Sequence, residues 1–245
     1  MTDHPQQTWT GSVASSYDDW FGDLPDTDGP VQRLAELAGE GRALELGVGT
    51  GRVAVPLAAR GVPVHGVDAS EDMLAQLRAK AGGDRVTTSV ADFSELAGVA
   101  DGFALVYAVT GTFFELPTQE AQLRCFRSVA ERLAPGGRFA LDGLLPDAVA
   151  AEQPVKVRET ADGRPMLHLR QLHSAVQRLE SQYLVFGAAG VEVVRVRFRY
   201  AWPGELDLMA RLAGLRLVER TGNWRGAGYT PASKQHVSVY ARESE

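Results

Sequence analysis

The densest concentration of chemistry lies in eight residues, Glu45-Leu46-Gly47-Val48-Gly49-Thr50-Gly51-Arg52. Three alternating glycines follow an apolar run over 42–48 and precede a helix-period segment. A strand-to-helix turn of this kind removes the Cβ atoms that would stand between backbone and ligand. The helix behind it offers unpaired N–H groups to an anionic or polar group. The spacing decides between ligands. A nicotinamide-type G-x-G-x-x-G would need its third glycine at position 52, which is Arg52, and no Gly-Lys-Ser/Thr follows to make a phosphate loop. Asp68 closes the next apolar run, 17 residues after Gly51. A carboxylate there can accept both hydroxyls of a ribose. Asp92, in Ala91-Asp92-Phe93, ends the third run, where it can meet an adenine edge.

The elements that must position these residues are legible as a pattern. Apolar runs over 42–48, 63–68, 86–92, 103–109 and 137–145 read as strands. Helix-period segments lie between them. One covers 50–60, with Pro56 deeper than a first-turn proline should be. A second covers 70–81, with Ser70 as N-cap and Glu71 and Asp72 complementing the dipole before Gly82-Gly83. A third covers 118–133, beginning at Thr118, with Leu123, Phe126, Val129, Ala130 and Leu133 on one face. Strands alternating with single helices give βαβ units and a mostly parallel sheet covered on both faces. From about 155 to 200 the pattern changes to extended alternating segments with turn signals at Asp162-Gly163 and Ala189-Gly190, an inserted antiparallel meander. A helix at 203–213 and strands at 215–221 and 235–241 resume the first pattern.

Taken together, ALELGVGTGR, VHGVDAS followed by Met73-Leu74, VADF and LAPGGRF resemble the class I S-adenosylmethionine-dependent methyltransferases over about residues 40–145. The tail AWPGELDLMARLAGLRLVER with HVSVYA resembles the small-molecule branch, whose members methylate amino sugars and other natural-product intermediates. The resemblance implies a Rossmann-like seven-stranded sheet whose last strand is antiparallel. It implies three parts: a helical cap over 1–40, a cofactor-binding domain from 41–146 and 201–245, and a β-meander lid over 147–200. It also implies the cofactor, S-adenosyl-L-methionine. Glu45, Gly47, Val48, Gly49, Thr50 and Gly51 would hold its methionine end. Asp68 would take the ribose, with Ala69 and Met73 beside the adenine, and Ala91, Asp92 and Phe93 flanking that ring. Val109 and Thr110 would face the sulfonium, and Tyr17 of the pair Tyr17-Asp18 would fold over it. The chain departs from close relatives at Thr110-Gly111, where Phe-Asn is frequent.

In a parallel sheet, ligands bind beyond the C-terminal strand ends. The insertion and the loop 222–234 both leave from that side, so Trp224 and Tyr229 are expected at the acceptor. The segment 155–200 carries eight Lys/Arg and four Asp/Glu, +4 within a chain of net charge 25 − 31 = −6. An anionic acceptor met by Arg197, which shares a strand face with Arg195 and Arg199, is therefore an expectation. A hydroxyl acceptor would want a general base, for which Tyr17, His168, His173 and His236 are candidates, although His168 and His173 must face opposite sides of one strand.

The reaction expected is methylation of N or O on a small secondary-metabolite-type molecule. The alternative is a relative that binds the cofactor without methylating, as a cyclase or a non-catalytic partner, with a NAD(P)-dependent oxidoreductase further off. The acidic balance argues against a general nucleic-acid partner. No apolar run is long enough to span a membrane. The single Cys125 offers no multi-cysteine metal site, and no metal is expected. Without a basic region ahead of an apolar core at the start, the cytoplasm is the expected compartment, with a monomer or homodimer as the expected assembly.

Overall fold

The computed structural model describes residues 8–21, 26–188 and 190–242. Ala189, half of one expected turn signal, lies outside them. In chain order the elements are α1 (Gly11–Phe21), α2 (Asp28–Ala38), β1 (Ala43–Leu46), α3 (Ala54–Ala59), β2 (Val64–Asp68), α4 (Glu71–Ala79), β3 (Val86–Val90) and β4 (Phe103–Ala108). There follow α5 (Gln119–Arg132), β5 (Leu133–Leu144), α6 (Pro146–Ala150), β6 (Val155–Glu159), β7 (Pro165–His173), β8 (Arg178–Gly187), β9 (Gly190–Arg199), α7 (Pro203–Leu212), β10 (Leu215–Thr221) and β11 (Gln235–Arg242).

Seven strands form one sheet in the order β10-β11-β5-β4-β1-β2-β3. β11 runs antiparallel to both its neighbours, and the other pairings are parallel. The order reverses between β1 and β4, so the crevice at their C-terminal ends is the switch point where such sheets bind ligands. Period-two alternation divides the core. Leu44 and Leu46 of β1 pack with Phe126 and Phe139 on one face, while Ala43, Leu105 and Tyr107 pack with Leu34, Leu57 and Leu74 on the other. The fold is thus Rossmann-like, with helices on both faces. A separate antiparallel sheet, β6-β7-β8-β9, comes from 155–199 alone.

Ser70 and Thr118 cap α4 and α5, their side chains accepting from the Met73 and Ala121 N–H groups. The helix expected over 50–60 begins only at Ala54. Gly47, Gly49 and Gly51 all have φ between +54° and +80°, which a right-handed helix cannot contain. Pro56 therefore falls in the first turn, where its missing N–H breaks no helical bond, and the conflict seen in the sequence disappears. β5 begins earlier than expected, at Leu133, with Gly136 at φ +72° inside it. Within 1–40, α1 lies against α4, whereas α2 buries Val31, Leu34 and Leu37 in the sheet core rather than capping it.

Candidate functional site

The glycine turn is held by Asp68. The Gly49 N–H donates to Asp68 Oδ2 at 2.8 Å and the Ser70 N–H to Oδ1 at 2.9 Å. Burial pushes the Asp68 carboxyl above its ordinary range against these two bonds. The turn has no room for side chains: a Cβ at Gly47 would lie 2.3 Å from Thr112 Cγ2, and one at Gly51 2.8 Å from Leu77 Cγ. Beside the turn opens a cavity of about 380 Å³. Of the residues expected at the cofactor, Tyr17, Gly47, Gly49, Asp68, Ala69, Met73, Asp92 and Phe93 line it. A clasped carboxylate for a diol, an apolar and aromatic slot formed by Met73 and Phe93, and a glycine turn stripped of Cβ atoms fit a sulfur nucleoside with an amino-acid tail.

The other expected residues support this cavity from outside it. Glu45 is buried behind the turn, accepting from the Tyr107 hydroxyl at 2.9 Å, and burial pushes its carboxyl up to about 8. Val48 packs over Gly66, and the Thr50 hydroxyl donates to Asp18 Oδ1 at 2.7 Å. The Ala91 N–H donates to the Asp68 carbonyl at 3.0 Å. The Val109 carbonyl accepts the Thr112 hydroxyl at 2.8 Å. Among the lining residues not anticipated are Trp9, whose indole N–H donates to Glu115, and Glu115 itself. The polar stretch before α1 carries no sequence signal for the first, and the second ends a short 3-10 turn, Thr112–Glu115, that no periodicity announces.

A second cavity of about 330 Å³ lies across the wall formed by 110–112, Thr112 facing the first and Thr110 and Gly111 the second. Leu179 and Phe198 of the small sheet form one side, and Trp224, Asp26 and Pro30 the other. Asp142, at the end of β5, accepts the Gly111 N–H at 2.8 Å on Oδ1 and the Trp224 indole N–H at 2.6 Å on Oδ2. Burial raises its carboxyl above the ordinary range, outweighing these bonds, the Thr110 N–H and the Arg52 charge. Arg52 donates to the Thr27 hydroxyl at 2.9 Å and to the Thr110 hydroxyl. Thr110 has φ +61°, a β-branched residue in the left-handed region, next to Gly111 at φ +75°. Such strain persists only where the surroundings impose it, here the carboxylate and guanidinium gripping the two sides of one residue.

The remaining sequence candidates fall elsewhere. Arg197 is exposed on the face of β9 opposite Phe198, its Nε 3.6 Å from Glu180 Oε1. Strand alternation turns Arg195, Arg197 and Arg199 away from the second cavity together, and Arg199 is engaged by Glu205 at 2.6 Å. Tyr229 is exposed with the Arg220 guanidinium over its ring, outside the cavity that Trp224 lines. His168 is buried against Tyr183 with ring centroids 4.2 Å apart, and burial takes its ring down to about 4. Neither it nor His173 lines either cavity. His236 is buried behind Gly143 with Nδ1 2.9 Å from Ser238 Oγ, and burial takes it likewise down to about 4. Tyr17 does reach the first cavity, but burial pushes its hydroxyl well above the ordinary phenol range, which suits contact better than proton abstraction.

Comparison with known proteins agrees with this geometry. A methyltransferase domain family matches residues 43–137. The chain is 32% identical over 214 residues to the cypemycin N-terminal methyltransferase of a Streptomyces species, 82% of each protein being covered. Its structure matches the CcbJ methyltransferase from Streptomyces caelestis with a TM-score of 0.87 at 36% identity, covering 99% of this chain and 100% of that one. It shares the fold of CalS10, an amino pentose methyltransferase from Micromonospora echinaspora, with a TM-score of 0.71 at 19% identity over 98% and 100% of the two chains.

Proposed function

The chain belongs to the class I S-adenosylmethionine-dependent methyltransferases, and on that premise we propose that it methylates a nitrogen of a small natural-product-type acceptor held in the cavity of Arg52, Asp142 and Trp224. The observation that carries the reading is the shared wall at 110–112, which brings an acceptor-sized space against the space beside the glycine turn. Nitrogen is favoured by the relative named for methylating an N-terminus. Residues 147–200 act as the lid, because Leu179 and Phe198 close one side of the acceptor cavity. An anionic acceptor loses its support, since the basic face of β9 points elsewhere.

S-adenosylmethionine supplies, when bound, a methyl group on a positively charged sulfur, ready for in-line displacement. The chain's own part is placement. Asp68 takes the ribose hydroxyls, Phe93 and Met73 enclose the adenine, and the turn at Gly47–Gly51 receives the methionine end. Thr110 to Thr112 fix where acceptor and methyl meet. Aligning the two in a closed space supplies most of the rate, through proximity and the exclusion of water. The test is to incubate the protein with S-adenosylmethionine and matched panels of small amines and alcohols, and follow S-adenosylhomocysteine and methylated product by mass spectrometry. Methylated amines are expected. Turnover of alcohols alone would overturn the choice of nitrogen.

A further inference from the structure

Resting on that reading, we propose that Asp142 receives the acceptor's amine proton while Arg52 holds an oxygen of the same molecule, so that the acceptor is an amine with an uncharged carbonyl two or three bonds from the nitrogen. Both side chains reach into the acceptor cavity. They are opposite charges joined through one residue, Arg52 to the Thr110 hydroxyl and Asp142 to the backbone N–H groups of Thr110 and Gly111. Among the described residues they do not pair with each other, and Arg52 has no carboxylate within ion-pair distance. Two of its five N–H donors are used. Neither charge is neutralised by the other: Asp142 has neutral N–H donors for partners, and the half-buried Arg52 keeps free N–H donors at the cavity wall. A molecule with a cationic nitrogen beside a carbonyl oxygen supplies a partner to each.

The step balances. The acceptor ammonium gives one proton to the Asp142 carboxylate. The freed lone pair forms the nitrogen–carbon bond as the methyl–sulfur bond breaks with its electrons going to sulfur. A methylated ammonium and a neutral thioether result, and Asp142 returns its proton to water. Burial raises the Asp142 carboxyl above its ordinary range, which makes it a stronger base than an exposed aspartate. The other charges around it are Arg52, from the glycine turn, and Asp26, which Arg225 pairs at 2.5 Å. His236 lies behind Gly143 and is neutral near pH 7.

The experiment uses the full chain with S-adenosylmethionine and two acceptor sets, amino-acid amides such as alaninamide and prolinamide, and the same amines lacking the carbonyl, ethylamine and pyrrolidine. Methylation confined to the amides is expected. Arg52→Gln should raise KM for the amides at least tenfold and erase the preference. Asp142→Asn should lower kcat about 100-fold at pH 7, with partial recovery as pH rises and the free amine forms in solution. A structural role alone would not produce that recovery. Arg52→Lys should restore part of the preference. S-adenosylhomocysteine affinity, measured by calorimetry, should stay within threefold of wild type in all variants, which separates folding failure from loss of the role. Equal methylation of both sets, no methylation of any amide, or an Asp142→Asn profile that is merely scaled down overturns the inference while the amine methyltransferase reading can stand. If wild type binds no S-adenosylhomocysteine, the underlying reading falls with it.

Discussion

The indole N–H of Trp9 donates to the Glu115 carboxylate at 3.1 Å, tying the segment before α1 to the far wall of the cofactor cavity. Two more bonds hold the same strap: the Ser70 hydroxyl donates to the Trp9 carbonyl, and the Gly11 N–H donates to Asp72 Oδ2 at 2.7 Å. Edge-on contacts from Trp9 to Tyr17 and Phe21 then carry the strap into α1. Trp9 and Glu115 both line the cavity beside the glycine turn. Trp9→Phe keeps most of the ring but leaves the enclosed Glu115 without its donor, at a cost of about 1–3 kcal/mol. Binding of S-adenosylhomocysteine should weaken about tenfold with only a small drop in Tm. Calorimetry and thermal melts check this, and an unchanged Kd would mean the strap does not cover bound cofactor.

Asp68 joins two tasks, since its oxygens anchor the turn through Gly49 and Ser70 and face the cavity. Asp68→Ala removes both acceptors and the site for a diol. Loss of one charged hydrogen bond costs about 1.5–3 kcal/mol, so Kd for the cofactor should rise at least 100-fold when several go together. Adenosine, which shares the ribose, should be affected in parallel, whereas methionine alone should not. Competition titrations of the two fragments decide the point.

How much of this could be read beforehand depended on distance along the chain. The glycine turn, Ser70 and Asp68 lie within a single βαβ stretch, where periodicity and spacing fix what faces what. The acceptor cavity has no such local signature. Arg52 registered only as the residue that breaks a dinucleotide fingerprint, and Asp142 as one position in the strand run GRFALDGLL. They meet through Thr110, whose left-handed backbone no propensity predicts. A lone carboxylate at the C-terminal end of a parallel strand was the available clue to Asp142. His168 drew attention by its chemical type, but alternation along β7 turned it onto Tyr183.

The arginines of β9 give a negative test of that same alternation. Arg195 and Arg197 share the outward face with Arg199, while Val194, Val196 and Phe198 face in. Arg195→Gln with Arg197→Gln should leave acceptor KM and kcat within twofold of wild type, since surface changes of this kind usually cost under about 0.5 kcal/mol. A large rise in KM would relocate the acceptor to the outer groove of the small sheet.

Glu45 makes stability depend on pH with a sign that can be worked out. Burial is the main cause of its raised value, opposed by the Tyr107 hydroxyl bond, so the folded protein holds the proton up to about pH 8 while an unfolded chain releases it near 4.5. The folded state binds the extra proton between those values, and stability declines as pH rises through the window. Glu115, pushed by burial to about 7, adds a slope of the same sign over a narrower range. The ligand-free protein should therefore melt lower at pH 8 than at pH 6.5, a window above the range in which the buried, neutral His168 and His236 make stability rise with pH. Glu45→Gln keeps an acceptor for Tyr107 and cannot ionise, so it should flatten much of the decline between pH 6.5 and 8, and Glu115→Gln a smaller part. Melting curves of the three proteins across that range, without cofactor, give the answer. A wild-type Tm that rises between pH 6.5 and 8, or a Glu45→Gln protein whose decline there matches wild type, would overturn a protonated Glu45 behind the turn.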